Sequence, residues 1–223
     1  MRPFFYPEKV TFSFPRIYPI LDSSAIPTSD RAKFLLRLGC SLADAGVTLL
    51  EYRNKKGIDA ELLADARILR AAMPFGQVKL ILDDRADLVD LAGFDGVHVD
   101  AGDLSPADAR SLVGPERIVG TFGGSEILVP GVLNEPADYL SIGPVFATTT
   151  KQTDKAPIGV EGVRRLRYQA GKEAVLAAAA GITLETAPSV LAAGASMVAV
   201  AAALFTAPDP SAEYSRWART IGS

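Results

Sequence analysis

From Ile17 onward the chain alternates short apolar runs with amphipathic stretches, and it does so eight times without a linker or a break in composition. The first run is Ile17-Tyr18-Pro19-Ile20-Leu21, where Pro19 argues against a central strand. Ser29 and Asp30 are placed to cap a helix whose Phe34, Leu35, Leu38, Leu42 and Ala45 share one face before Gly46 stops it. Val47 to Tyr52 reads as a second strand. Asp59 opens a helix carrying Leu62, Leu63, Ala66 and Leu69 on one side. Val78 to Leu82 is a third strand and Ala86 to Ala92 a short helix. Gly96 to Val99 is a fourth strand, followed by a helix from Ser105 to Val113 with Pro106 at its first position. Ile118 to Thr121, Tyr139 to Ile142, Ala174 to Ala178 and Met197 to Ala201 supply strands five to eight. Helical patterns follow at Val160 to Tyr168, Leu184 to Ala193 and Ala212 to Ile221, while Phe122 to Pro136 carries only a weak one. Eight consecutive strand–helix units predict a single (β/α)₈ TIM barrel, the α/β class, spanning residues 17–223 behind an N-terminal extension of residues 1–16. An open doubly wound sheet fits less naturally, because nothing divides the eight units into two halves.

The length of 223 residues suits one such barrel, a fold that typically takes about 250 residues. A hydrophobic content of 48% is enough for a full core. The net charge of −3, with no basic stripe or polybasic tail, argues against nucleic acid as a partner. No apolar run is long enough for a membrane span, and Met1 to Pro7 is aromatic without the apolar core of a signal peptide. A cytoplasmic protein is expected, and the sequence is compatible with a homo-oligomer. The single cysteine, Cys40, lies in a helical run among small apolar residues and is expected to be a packed thiol. The single histidine, His98, stands between Val97 and Val99 and is expected to pack within the barrel.

In a parallel barrel chemistry collects where the strands end. After the second strand Glu51, Arg53 and Lys55 occupy alternate positions and so leave the strand on one side. Asp83, Asp84 and Arg85 follow the third strand, and Asp100 and Asp103 the fourth. The sixth strand runs through Gly143-Pro144 into Thr148-Thr149-Thr150-Lys151. Hydroxyls, loop amides and an ammonium form an anion site. Cations (Arg53, Lys55, Lys151) together with converging carboxylates (Asp84, Asp103) describe more than that. They point to a metal–diphosphate site, in which Asp oxygens hold Mg²⁺ and the cations neutralise the remaining charge.

Several of these segments resemble the thiamine-phosphate synthase family. They are Glu51-Tyr52-Arg53-Asn54-Lys55, Leu82-Asp83-Asp84, Asp95 to Val99 with Asp103, and Gly181-Ile182-Thr183 followed by Ala193-Gly194-Ala195. The most specific is Gly143-Pro144-Val145-Phe146-Ala147-Thr148-Thr149-Thr150-Lys151, and the resemblance runs from Ile17 to Phe205. It implies a barrel transferase that joins an aminopyrimidine methyl diphosphate to a hydroxyethylthiazole phosphate and releases diphosphate by a dissociative route. It also implies that Arg53, Lys55 and Lys151 hold the leaving diphosphate and that Asp84 and Asp103 hold Mg²⁺. Thr148 and Thr150 would contact one of the phosphate groups, and Glu51 and Asp83 would face the pyrimidine.

The chain departs from the family pattern at ligand contacts. Ala180-Gly181 stands for Gly-Gly, so a Cβ enters where backbone amides approach the thiazole phosphate and where a positive φ is penalised. Ala202 replaces a serine, Phe122 follows the fifth strand where a small hydroxyl residue is usual, and Asp100-Ala101 replaces Gly-Gln. Glu51 and Asp83 stand for Gln and Asn. Three added carboxylates beside a diphosphate would repel it unless they bind metal or hold protons. The altered Gly-Gly and serine positions motivate one alternative, a re-specified or non-catalytic phosphate-binding barrel. The other is a thiazole tautomerase-like isomerase, although the histidine that resemblance implies after the fifth strand is replaced by Phe122-Gly123-Gly124.

Overall fold

The computed structural model describes residues 12–100, 102–148 and 155–222. Thr149, Thr150 and Lys151, together with most of the N-terminal extension, lie outside the described residues. Eight parallel strands close in sequence order: β1 (Ile17–Asp22), β2 (Leu49–Arg53), β3 (Lys79–Asp83), β4 (Gly96–Val99), β5 (Ile118–Gly124), β6 (Tyr139–Ile142), β7 (Leu176–Ala179) and β8 (Met197–Val200), with β8 pairing back onto β1. Around them run α1 (Arg31–Asp44), α2 (Asp59–Ala72), α3 (Val89–Ala92), α4 (Pro106–Val113), α5 (Gly159–Ala170), α6 (Ala187–Ala192), α7 (Ala202–Phe205) and α8 (Pro210–Ile221). The barrel is the fold that the eightfold alternation predicts. Among the described helices none is long and apolar enough to cross a membrane.

The local differences have local causes. Ser105 caps α4, its Oγ accepting from Asp108 N at 3.1 Å. Asp30 precedes α1 in a left-handed conformation (φ 53°) and makes no side-chain cap bond. The weak pattern after β5 yields only a 3₁₀ turn at Val132–Asn134, while β5 itself continues through a bulge between Phe122 and Gly124. α6 begins at Ala187 rather than Leu184, because Thr183 and Thr186 close a turn on each other, Thr183 N donating to Thr186 Oγ1 at 2.9 Å. The alanines after β8 lead into α7, with Ala201 preceding its first residue, Ala202. Cys40 is exposed, contrary to the expected packed thiol. α1 buries Leu35, Leu38, Gly39, Leu42 and Ala43, and position 40 falls on the side away from that stripe.

Two layers of core follow from the period-two alternation of the strands. Outward residues such as Leu50, Leu82 and Val97 meet the helices, which add Leu35, Leu69, Val163 and Trp217. Inward residues Tyr18, Leu49, Ile81, Ile118, Tyr139 and Met197 fill the lower half of the barrel. Phe12 and Phe14, at the end of the extension, pack against that filling, with the Phe14 and Tyr139 ring centroids 5.6 Å apart. Gly120 is where the barrel makes room for Tyr139, since a Cβ there would collide with the tyrosine ring. A plugged lower half leaves the open space at the C-terminal ends of the strands.

Candidate active site

The same alternation that fills the lower half carries polar residues into the upper half. On β1 to β4 the inward positions above the apolar layer are Asp22, Glu51, Arg53, Asp83 and His98, with Asp100 just beyond β4. They line a cavity of about 530 Å³ at the mouth of the barrel. A second cavity of about 410 Å³ adjoins it and shares Asp100, Ser141, Thr148, Ala179 and Ala180.

On the β2–β4 side the charges are tightly interlocked. Arg53 bonds Asp22 through NH1 and lies 3.5 Å from Asp83 Oδ2 through Nε. Lys55 Nζ bonds Asp84 and lies 3.2 Å from Asp83 Oδ2. Asp84 reaches inward because its backbone turns left-handed (φ 62°) just past β3, with its N–H donating to His98 O at 2.8 Å. Carboxylate oxygens of Asp83, Asp84 and Asp100 all come within 4.8 Å of one another. Asp83 Oδ2 and Asp84 Oδ1 are buried with no hydrogen-bond partner. Asp83 Oδ2 has the charge contacts of Lys55 and Arg53, whereas Asp84 Oδ1 has none among the described residues. An unpartnered oxygen in a three-carboxylate cluster suits a hard divalent cation, which binds oxygen ligands. The expected pair was Asp84 and Asp103. Asp103 sits alongside the cluster, its Oδ2 accepting from Asp100 N at 3.1 Å, and lines the smaller cavity. Asp83, expected at the pyrimidine, belongs by geometry to the carboxylate cluster. Arg85 faces away and pairs with Asp59 and Asp87.

Beneath this cluster lies a hydrogen-bonded floor that the sequence did not disclose. Tyr18 OH donates to Glu51 Oε2 at 2.6 Å and lies 2.7 Å from Tyr139 OH, which is 3.0 Å from His98 Nδ1. His98 stacks on Tyr139 at 5.5 Å and is packed, as its strand position implied. Glu51 is only 3% exposed. Burial, then the neighbouring charge of Asp83, pushes its carboxyl up to about 8, against the hydrogen bond from Tyr18. Burial raises Asp83 as well, although Lys55, His98 and Arg53 oppose it. Tyr18 and Tyr139 are held well above the usual phenol range by burial and by Glu51. The added carboxylates therefore divide. Glu51 leans toward its protonated form, while Asp83 and Asp100 join the cluster suited to a metal. Tyr18 and Asp22 were legible only as inward positions of β1, of the same parity as Ile20.

The β7–β8 side is nearly uncharged. Ala179, Ala180, Gly181, Ala201 and Ala202 line the larger cavity. Ala180 adopts φ 75°, the left-handed conformation expected to penalise it, at a strain of about 1–2 kcal/mol. Gly181 follows at φ 68°, and a Cβ there would collide with Ala147 O, so this position tolerates only glycine. Ala202 opens α7 and offers no hydroxyl. Thr148 is half-buried and borders both cavities. Thr150 and Lys151, expected at the phosphate groups, fall outside the described residues.

The family model described as thiamine monophosphate synthase matches residues 17–204. A thiamine-phosphate synthase of Koribacter versatilis is 43% identical over 194 residues, covering 87% of this chain and 90% of that protein. One from Agrobacterium fabrum is 36% identical over 178 residues, covering 78% and 81%. Among solved structures, a thiamine phosphate pyrophosphorylase from Pyrococcus furiosus superposes with a TM-score of 0.73 at 22% identity, covering 92% of this chain and 95% of the other, which is a likeness of fold.

Proposed function

The chain belongs to the thiamine monophosphate synthase family, and from that premise we propose that it is a transferase joining an aminopyrimidine methyl diphosphate to a hydroxyethylthiazole phosphate with release of diphosphate. The observation that carries the reading is the meeting of Arg53 and Lys55 with the Asp83–Asp84–Asp100 cluster above a cavity of about 530 Å³. In this reaction the bond between the methylene carbon and the diphosphate oxygen breaks, and its electron pair leaves with the diphosphate. The thiazole ring nitrogen then forms the new C–N bond with its lone pair. A ring nitrogen without hydrogen loses no proton on alkylation, so the site needs no general base. That suits a barrel whose single histidine is stacked on Tyr139 and hydrogen-bonded to its hydroxyl.

The demand on the protein is instead electrostatic. Negative charge builds on the leaving group, and groups already aimed there stabilise it without reorganising. Arg53 and Lys55 supply that positive charge from one side. Mg²⁺, held by Asp83, Asp84 and Asp100 with Asp103 adjacent, would supply the remaining neutralisation when bound. Glu51 in its protonated form offers an O–H and a C=O to the pyrimidine edge, the donor and acceptor pair that a glutamine would offer. Thr148, and Thr150 and Lys151 that follow it in sequence, would contact the phosphate groups.

The test is direct. Both substrates with Mg²⁺ and purified protein should give thiamine phosphate, read by fluorescence after oxidation. No product above background at high protein concentration would remove the transferase reading.

A further inference from the structure

The β5 side of the site carries an arrangement that the proposed chemistry above has not used. Phe122 stands half-buried at the bulge of β5, where a hydroxyl residue would have offered phosphate a donor. Its ring cannot offer a hydrogen bond to an anion. It does carry a cation: Lys155 Nζ lies 3.8 Å from the ring centroid, well inside the roughly 6 Å within which an ammonium is attracted to the face of an aromatic ring. Lys155 comes from the segment just before α5, 33 residues further along the chain. Both side chains line the smaller cavity, together with Lys55, Asp100 and Asp103.

The geometry of that cavity gives the pair its meaning. Arg53 and Lys55 both come from the end of β2, and both are engaged by carboxylates of β1 and β3. A diphosphate held against them alone would be neutralised from one flank, with the carboxylates of the cluster close by. Lys155 enters the same cavity from the β5–β6 side. A lysine on a flexible four-carbon stem is a poor anchor unless something holds its ammonium in place. The Phe122 ring does that holding, and an aromatic face in place of a hydroxyl thereby exchanges a short neutral donor for a positioned charge.

We propose that Lys155, positioned by the Phe122 ring, is a further substrate-binding residue of this site and grips the diphosphate group from the flank opposite Lys55. The assignment rests on the transferase reading for the identity of the substrate. The chemistry it requires is only that of a diphosphate anion, with or without its divalent cation.

The experiment measures inorganic diphosphate binding to the full chain in Mg²⁺ by titration calorimetry, alongside steady-state kinetics with both substrates. Lys155→Gln should weaken diphosphate binding about tenfold. It should raise KM for the pyrimidine diphosphate and also lower kcat, because the leaving group gains negative charge in the transition state, with KM for the thiazole phosphate unmoved. Lys155→Arg, which keeps both charge and ring stacking, should recover most of the affinity. Phe122→Leu should weaken diphosphate binding about threefold, and in the Lys155→Gln background it should add nothing. The non-additivity separates positioning from a loss of packing. Unchanged diphosphate affinity in Lys155→Gln, additive losses in the double variant, or no diphosphate binding by the wild-type chain would each overturn the proposal. Because binding is read without turnover, the two readings fail separately. A chain that makes no thiamine phosphate yet binds diphosphate through Lys155 keeps this assignment and loses the other.

Discussion

Across the mouth of the barrel, the ends of β2 and β3 present Arg53, Lys55, Asp83 and Asp84, whereas β7 and β8 present Ala179, Ala180, Gly181, Ala201 and Ala202. Both sides stand on the same closed barrel, above the inward residues that fill its lower half. The first side concentrates charge and leaves two buried oxygens without hydrogen-bond partners. The second offers a ligand backbone and methyl groups, and holds Ala180 left-handed where glycine would be relaxed. The difference teaches that one rim can be divided between two tasks. In the reaction proposed above, the charged side would stabilise a leaving group, an interaction that grows in the transition state and so appears in kcat. The alanine side would seat the second substrate, which appears in KM.

The largest effect expected from breaking this division comes from Asp84→Asn. Asparagine tolerates the left-handed backbone at this position, so the fold should persist. Loss of one carboxylate from the cluster should lower kcat about 10²–10³-fold, the scale for removing one preorganised electrostatic contact. A variant with full turnover would dissolve the distinction between the two sides. Far-ultraviolet circular dichroism and the melting temperature would show that the fold is intact.

Glu51 sharpens the comparison through stability. Burial and the charge of Asp83 push its carboxyl from the ordinary 4.5 up to about 8 in the folded chain. Between those values the folded state binds more protons, so stability falls as pH rises, by roughly 1 kcal/mol per unit through the middle of the window. The raised Asp83 acts in the same direction. Denaturant midpoints measured from pH 5 to 8 should decline in the wild type and flatten in Glu51→Gln. Parallel profiles for the two proteins would mean that Glu51 is ionised throughout.

The smallest effect belongs to the alanine side. Ala180→Gly with Ala202→Ser restores backbone freedom and one hydroxyl, and should lower KM for the thiazole phosphate about three- to fivefold with kcat held. Relief of the left-handed alanine should raise stability by less than about 1 kcal/mol, because glycine also loses more entropy on folding. An unmoved KM would show that the second substrate does not lean on β7 and β8.

Part of this site could be read from the chain. Arg53 follows Glu51 at the spacing that keeps both inside a strand, and both line the cavity. The mismatch of Ala180 with a position needing positive φ was visible because the resembled family carries Gly-Gly where this chain has Ala180-Gly181. Other features had no local signature. Tyr18, Glu51 and Tyr139 meet although 33 and 121 residues separate Tyr18 from its two partners. The choice of Asp83 and Asp100 as companions of Asp84 depends on how far each strand end projects, which strand stagger sets. Cys40 was misjudged because its small neighbours did not reveal which face of α1 would dock.

The sequence by itself determined the barrel, its strand count and the rim on which charge would gather. Those follow from periodicity, which is a property of adjacent residues and survives any ignorance of distant ones. Tertiary structure alone decided which carboxylates cluster, that burial pushes the Glu51 carboxyl upward, and that Lys155 comes to rest over Phe122. Each of these depends on closing the barrel, which brings distant strand ends within a few ångströms and removes the water that would otherwise screen them.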